Sequence, residues 1–254
     1  MFDTHIHTKY SADSEMALAQ AVIEAKKQNL GLIITEHIDV DCPNEKFRMI
    51  DLDSYFKEYE EYRKHNVLLG IEIGMRPDKL EEVNKIILDN PFDYVIGSVH
   101  IVDGIDIFQG IFYEEKSKDE AYKQYLHYMI DCVKTHDNID SLGHIDYISR
   151  YSPYKDKEIY YEDYSDYIDE VLKILSYKEK AIEINSRRLD DASAVKNLMT
   201  IYKRFHELGG KFSTLGSDAH TPDNVGKNLY KAKEIAEECN LKPVYFKDRK
   251  MIYI

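Results

Sequence analysis

The feature that most restricts the fold of this chain is a sevenfold alternation of short apolar runs and longer amphipathic stretches. The runs have the length of buried strands, and the stretches between them repeat apolar residues at helical spacing. Strands that alternate with helices predict a parallel sheet. The predicted strands cover residues 2–7, 32–36, 67–74, 92–99, 139–144, 181–185 and 211–216.

The predicted helices cover residues 15–28, 52–65, 78–89, 117–136, 162–178, 192–208 and 224–238. In the sixth helix Leu198, Tyr202 and Phe205 lie at helical spacing, and Gly209 and Gly210 then end it. Seven such units favour closure into a (β/α)7 barrel of the TIM type, and an open doubly wound sheet is the structural alternative. No linker divides residues 1–254, so we expect a single domain, with short strands at 244–246 and 251–254 outside the main cycle.

The chain is acidic, with 47 Asp and Glu against 34 Lys and Arg and a formal net charge of −13. This balance argues against a broad surface for long nucleic acid, although bound cations would still allow a small anionic substrate. No apolar run approaches the length of a membrane span, and the first residues do not resemble a signal peptide. Three scattered cysteines suit free thiols, so a cytoplasmic protein is expected.

Histidine placement carries the functional prediction. Six of the ten histidines fall at or just after predicted strand ends, and three carboxylates share those positions. The carboxyl ends of parallel barrel strands open on one face, so these side chains should meet there. Imidazole and carboxylate together are the ligands of zinc, iron or manganese. The nine candidates are His5, His7, Asp13, His37, Glu72, His100, His144, Asp218 and His220.

Local spacing supports a metal site, although no single pair proves one. His5 and His7 are two residues apart on a strand and point to the same side, as Asp218 and His220 do. Glu72 lies in a strand too apolar to bury a lone carboxylate. A chance pair explains the first spacing taken alone, and Asp13 alone is more often a helix cap. The assembly of nine carries the inference.

Six segments resemble, in order, the motifs of the PHP (polymerase and histidinol phosphatase) family. They read FDTHIHTKYSADSEM, ITEHID, GIEIG, GSVHIVDG, GHIDYISRY and GSDAHTPDNVG, and they extend from residue 2 to residue 226. The segments SADSEM, GSVHIVDG and GHIDYISRY resemble the corresponding sequences of the histidinol-phosphate phosphatase branch. The resemblance implies a distorted (β/α)7 barrel that hydrolyses L-histidinol phosphate to L-histidinol and phosphate in histidine biosynthesis.

The resemblance also implies up to three divalent metal ions, with zinc, manganese and iron as the candidates. One would be held by His5, His7, Glu72 and Asp218, and a second by the bridging Glu72 with His100 and His144. Asp13, His37 and His220 would hold the third. The family often has histidine at the position of Asp13, which leaves the metal preference of that site open.

Phosphate hydrolysis also needs donors and a proton source. Arg150, Arg187 and Arg188 follow predicted strands and offer forked donors to phosphate, although nearby acids would also pair with them. Glu72, Asp218 and His220 are the candidate catalytic residues, the last two as proton relays. Glu36 is either an outer carboxylate that orients an imidazole or a surface charge. Three ions of about +6 against three ligand carboxylates give a nominal site charge of about +3.

Residues 101–117 form a long loop that should overhang the cleft with Phe108, Phe112 and Tyr113. The acidic residues Glu15, Asp103 and Asp106 are candidates for the ammonium group of the substrate, and the sequence favours none of them. The alternatives are a phosphoesterase or phosphodiesterase for nucleotides, short oligonucleotides or other small phosphoesters, and a metallohydrolase without a phosphate substrate. A metal-binding regulatory protein would be expected to lack a ligand, and all nine are present here.

Overall fold

A computed structural model describes residues 1–254, and all seven predicted strand–helix units are present. The strands are β1 Phe2–Ile6, β2 Gly31–Ile38, β3 Val67–Gly74, β4 Tyr94–Ser98, β5 Ile101–Val102, β6 Ile105–Asp106, β7 Ser141–Leu142, β8 Ala181–Asn185, β9 Phe212–Gly216, β10 Lys242–Lys247 and β11 Lys250–Tyr253. The α-helices are α1 Leu18–Lys27, α2 Leu52–Tyr59, α3 Leu80–Asp89, α4 Lys118–Thr135, α5 Ile148–Tyr151, α6 Tyr161–Tyr177, α7 Ala192–Glu207 and α8 Leu229–Glu238.

The main sheet has nine strands in the order β1-β2-β3-β4-β7-β8-β9-β10-β11, and all of its pairings except that of β10 with β11 are parallel. The carboxyl ends of β1 and β9 meet, because the His7 amide donates to the carbonyl of Ala219 over 2.9 Å and the Asp218 amide donates to that of His5 over 2.8 Å. The Thr4 hydroxyl adds a bond of 3.0 Å to the carbonyl of Leu215. The predicted α/β fold is thus confirmed, and these bonds join the ends of β1 and β9 as a distorted (β/α)7 barrel requires.

The loop between β4 and β7 departs most from expectation. It folds into the β5–β6 hairpin and a 3-10 helix at Gly110–Tyr113, and the predicted strand at 139–144 keeps only two paired residues. Phe112 and Tyr113, expected over the cleft, are buried in the core, whereas Phe108 is 64% exposed. Because Phe112 and Tyr113 are buried among apolar residues, their rings do not line the cleft.

The helices cover the outside of the barrel through their apolar faces. Helix α7 is typical, since Leu198, Ile201 and Phe205 are buried and Asp191 caps its first turn by accepting from the Ser193 amide. The predicted stop at Gly209 is confirmed, and its φ of +93° explains why glycine ends the helix. None of the helices is long and apolar enough to cross a lipid bilayer.

The β10–β11 hairpin closes the amino-terminal face of the barrel. Phe246 stacks on Tyr94 with ring centroids 5.4 Å apart. Arg249 donates to Asp140, which immediately precedes β7, over 2.7 Å. The Asp248 amide donates to Asp93, just before β4, over 3.0 Å. These contacts seal one end, so the open face lies at the carboxyl ends of the strands.

Candidate metal centre

The nine predicted ligands all lie at the open face of the barrel, at or just after the ends of six of its strands. Seven of them are buried, and only Asp13 and His220, at the mouth, reach solvent. Five groups of three donors have their ligand atoms within 4.8 Å of one another, and Glu72 or a histidine next to it belongs to each group. The prediction from histidine placement therefore describes a real constellation.

Glu72 is the centre of this constellation. Its side chain has no solvent exposure, yet Oε2 lies 2.9 Å from His37 Nδ1 and 3.2 Å from His5 Nε2. Its other oxygen, Oε1, lies 2.8 Å from His144 Nε2 and 3.4 Å from His100 Nε2. Burial alone would favour the neutral acid, but the facing imidazoles hold the pKa of Glu72 well below its usual value. A carboxylate with imidazoles on both oxygens has the geometry of a bridge between metal ions.

The mouth of the site is formed by a second set of ligands. His220 Nε2 lies 3.0 Å from Asp13 and His37 Nε2 lies 3.6 Å from it, while Asp218 lies 3.5 Å from His7. The His7 ring stacks between His37 and His220, and burial with these two rings lowers its pKa well below the usual value. A neutral imidazole is the form that binds a metal.

Asp218 has an unusual backbone conformation. Its φ is +55°, in the left-handed region that few residues other than glycine adopt. The side chain is buried and contacts His5, His7 and Arg150. Backbone strain at a buried ligand is typical of functional sites, where the surrounding contacts hold the conformation in place.

Six buried polar atoms in the constellation form no well-aligned hydrogen bond, even where two of them lie close together, as His37 Nδ1 and Glu72 Oε2 do. They provide a test of whether the residues fit a metal. An unpartnered buried polar atom costs about 1–3 kcal/mol, so six at one point need a compensating ligand. Divalent cations that accept imidazole nitrogen and carboxylate oxygen satisfy them together, and the residues therefore fit a metal cluster. The atoms are His5 Nε2, His7 Nε2, His37 Nδ1, Glu72 Oε2, His100 Nε2 and His144 Nδ1.

Two outer carboxylates orient the histidines. Glu183 accepts from His5 Nδ1 over 2.6 Å, and Asp39 accepts from His100 Nδ1 over 2.9 Å. In each ring the proton is thereby held on Nδ1, which leaves the Nε2 lone pair facing the site. Glu183 also accepts the backbone amide of His144 over 2.8 Å, so it positions two ligands from two strands.

A hydroxyl relay orients His7 in the same way. Ser11 donates to Glu36 over 2.5 Å and accepts the His37 amide over 3.0 Å. The Ser11 oxygen, 3.1 Å from His7 Nδ1, therefore acts as the acceptor of the imidazole proton. Glu36 has no solvent exposure, so it is an outer carboxylate and not a surface charge, although it reaches the imidazole only through Ser11.

Two glycines make room for the outer carboxylates. A Cβ on Gly74 would lie 2.0 Å from an oxygen of Asp39, and a Cβ on Gly216 would lie 2.4 Å from an oxygen of Glu183. Any side chain at either position would push the carboxylate away from its histidine. The last glycine of GIEIG and the glycine of LGSD are thus required by packing behind the ligands.

The outer carboxylates change the charge expected of the site. Asp13, Glu72 and Asp218 together with Glu36, Asp39 and Glu183 bring about −6 when ionised. Three divalent ions of about +6 would balance this wider set, so the surplus of about +3 applies to the three ligand carboxylates alone. Arginines beside the ligands add positive charge for binding an anion.

The three predicted arginines occupy different environments. The Arg150 side chain is only 7% exposed and donates to Asp218 over 2.6 Å. Arg187 is 45% exposed and lies 3.5 Å from the same carboxylate, so most of its guanidinium is free. Arg188 is paired with Asp146 over 2.6 Å and with Glu158. The geometry favours Arg187 over Arg188 as a phosphate ligand.

A cavity of about 300 Å³ adjoins the ligands, and we call it the aromatic cavity. Phe47, Phe108, Tyr147 and Tyr151 provide its rings, and Asp106 is an acidic residue in its wall that is not among the nine ligands. Tyr147 stacks on His144 with centroids 4.7 Å apart. Asp13, His37 and His100 also line the wall, so a group held in this cavity would touch the metal centre.

Comparison with known proteins agrees with this geometry. The PHP domain model matches residues 3–187, more than half of the chain. The chain belongs to the PHP family. A Clostridium acetobutylicum protein named "Probable histidinol-phosphatase" is 51% identical over 254 residues, which cover 100% of this chain and 99% of that protein. The histidinol-phosphatase of Lactococcus lactis is 37% identical over 93% of this PHP chain and 90% of its own length.

The crystal structure of the Lactococcus lactis histidinol phosphate phosphatase, complexed with zinc, L-histidinol and phosphate, has the same fold as this PHP protein. The TM-score is 0.94 at 35% identity, and the match covers 99% of this chain and 98% of that one. A Listeria monocytogenes structure described as a histidinol phosphatase matches at a TM-score of 0.63 and 15% identity, which supports the fold alone. The predicted PHP fold is therefore confirmed, and the predicted ligands form groups that can hold metal ions.

Replacing Glu183 tests the role of the outer carboxylates. We expect Glu183→Gln to weaken metal binding by about 10–100-fold, because the amide no longer provides two equivalent acceptors for His5 and His144. Metal retained per chain during titration with a competing chelator measures the effect. The control is Glu237→Gln on helix α8, where the carboxylate is exposed. Equal metal retention by both variants would contradict this role.

Proposed function

We propose that this protein hydrolyses L-histidinol phosphate to L-histidinol and inorganic phosphate. The convergence of six unpartnered buried donor atoms on one point, beside a free arginine and a small aromatic cavity, is the observation that carries the proposal. The full-length similarity to histidinol-phosphatases supports the choice of substrate. We propose further that residues 1–254 act as one metallophosphoesterase domain.

The chemistry divides between the metal ions and the protein. Bound divalent ions lower the pKa of a bound water and neutralise charge on the phosphoryl oxygens. The protein holds the ligands rigid through Glu183, Asp39 and the Ser11–Glu36 relay. Arg187 binds the oxygens that the metals leave free, and Arg150 fixes Asp218 and adds positive charge.

The reaction forms a bond from phosphorus to the water oxygen and breaks the bond to the ester oxygen. The departing alkoxide of histidinol needs a proton. We propose that Asp218 or His220 delivers it, since His220 lies at the mouth of the site and its Nδ1 lies 3.6 Å from Asp218. The water proton is taken up within the same group of ligands.

We propose that the aromatic cavity receives the histidinol part of the substrate. Its rings offer flat surfaces to an imidazole. Of the three acidic candidates, Asp106 lines this cavity, whereas Asp103 accepts from Gln124 on the surface and Glu15 is exposed. Burial raises the pKa of Asp106, and a bound ammonium group would favour its ionised form.

Location and partners follow from the same features. We propose a cytoplasmic location, which the three free cysteines support. We also propose that small phosphorylated metabolites and not long nucleic acids are the substrates, because the net charge of −13 opposes binding of a polyanion along an extended surface.

The first test is phosphate release from L-histidinol phosphate by the purified protein, with metal content measured on the same sample. We expect kcat/KM of about 10⁴ M⁻¹s⁻¹ or more. Glu72→Ala should lose turnover and bound metal together, because the bridging carboxylate is removed. Negligible turnover by fully metallated protein would contradict the substrate, and assays on nucleotides and other small phosphoesters would then follow.

The two neighbouring arginines should differ in kinetics. We expect Arg187→Ala to reduce kcat/KM by about 10–100-fold, the value of one charge-assisted contact, with unchanged stability because Arg187 is exposed. Arg188→Ala should instead lower the free energy of unfolding, because Asp146 and Glu158 lose their partner. Steady-state kinetics and urea denaturation measure both. The reverse pattern would identify Arg188 as the phosphate ligand.

Substituting Asp106 tests the orientation of the leaving group. We expect Asp106→Asn to raise KM for L-histidinol phosphate by about tenfold, one lost charge-assisted contact. For the analogue without the amino group, KM should change little, since that molecule has no ammonium group. A similar change for both substrates would contradict a contact between Asp106 and the ammonium group.

A further inference from the structure

A second cavity, of about 600 Å³, shares Tyr151 with the aromatic cavity. We call it the basic cavity, and its wall includes Ser149, Arg150, Lys155, Lys157 and Arg187. The cavity thus includes the two arginines beside Asp218. The reaction proposed above uses only these two of its residues.

The acidic groups in this wall are already neutralised or bonded. Glu158 is paired with Arg188, and Asp156 is paired with Lys118 over 3.0 Å. Asp191 is occupied as the cap of helix α7. The negative charge that could cancel nearby cations is therefore largely used within the protein.

Two cations in the same wall are left without a partner. Lys155 and Lys157 are exposed and form no ion pair. In a chain of net charge −13, these two cations, beside the Arg187 that the phosphate at the metal centre uses, form a local positive field around one cavity. That field favours a multiply charged anion.

One donor in the wall also lacks a partner. The Nε of Arg150, on a side chain that is 7% exposed, has no hydrogen-bond partner. Buried donors are normally satisfied, so an unpartnered donor on a residue that lines a positively charged cavity points to an acceptor from outside the chain.

We propose that the basic cavity binds a second phosphate-class oxyanion, separate from the phosphate at the metal centre. Phosphate fits because it carries about two negative charges and accepts forked bonds from guanidinium as well as ammonium donors. The oxyanion is either free inorganic phosphate or the distal phosphate of a molecule whose first phosphate lies at the metals. The identity of the first phosphate rests on the proposed function.

The first arm of the test counts phosphate bound to the metal-loaded enzyme by equilibrium dialysis with labelled inorganic phosphate. We expect about two per chain in the unmodified protein and about one in the double variant Lys155→Ala/Lys157→Ala. The control, Lys26→Ala/Lys27→Ala on helix α1, removes the same charge and should still bind about two phosphates per chain. Retained kcat on L-histidinol phosphate shows that the double variant is folded.

The second arm compares propane-1,3-diol bisphosphate with propyl phosphate as competitive inhibitors. If a distal phosphate enters the basic cavity, the bisphosphate should bind about tenfold more tightly than the monophosphate, the value of one charge-assisted contact. That advantage should disappear in Lys155→Ala/Lys157→Ala. Two bound phosphates without a bisphosphate advantage would identify free phosphate as the occupant.

The proposal is overturned by one bound phosphate in the unmodified protein together with equal inhibition by the two compounds. It is also overturned if the lysine variant and its control behave alike. If the proposed function is wrong, the enzyme will not turn over L-histidinol phosphate. The dialysis count does not depend on turnover, so the two failures are distinguishable.

Discussion

The arrangement of the whole molecule depends on one buried carboxylate, Glu72. Its side chain has no solvent exposure, and imidazoles from five histidines surround it. The nitrogen and oxygen atoms of this group cannot all form hydrogen bonds with one another. Such a group is costly without cations. Divalent metal ions would resolve the conflict, and they would explain why residues that destabilise an ordinary core are assembled here. The outer carboxylates then fix the rings, and the two close glycines allow those carboxylates to approach.

The fold holds the ligands of this centre at one face of the barrel. Seven parallel strands bring their carboxyl ends to one face, and contacts between β1 and β9 place His5, His7 and Asp218 side by side. The carboxy-terminal hairpin seals the opposite face with Phe246 on Tyr94. Apolar packing therefore closes the end of the barrel that lacks chemistry. The arginines and the two cavities flank the metal centre on the open side.

The strand–helix order and the position of the metal ligands could be predicted from the sequence. Alternation along a strand determines the side to which each residue points, and the ends of parallel strands lie on one face. The placement of the nine ligands required only that the strands be parallel. Glu183 was missed although it lies in AIEIN, an apolar strand that buries its carboxylate as GIEIG buries Glu72; the same argument would have found it. The roles of Asp39 and Arg188 depend on which partner a side chain reaches across the fold, a distance that spacing along the chain does not encode. The short β5–β6 hairpin and the burial of Phe112 depend on packing for the same reason.

The most direct test of the central claim is anomalous diffraction from crystals of the zinc-loaded protein, recorded on both sides of the zinc absorption edge. The account predicts a cluster of anomalous peaks at the open face of the barrel. Two of them should lie about 2.0–2.2 Å from separate oxygens of Glu72, and histidine nitrogens should complete their coordination. A single peak that leaves Glu72 uncoordinated, or no peak among the six unpartnered atoms, would contradict the claim that this carboxylate bridges metal ions.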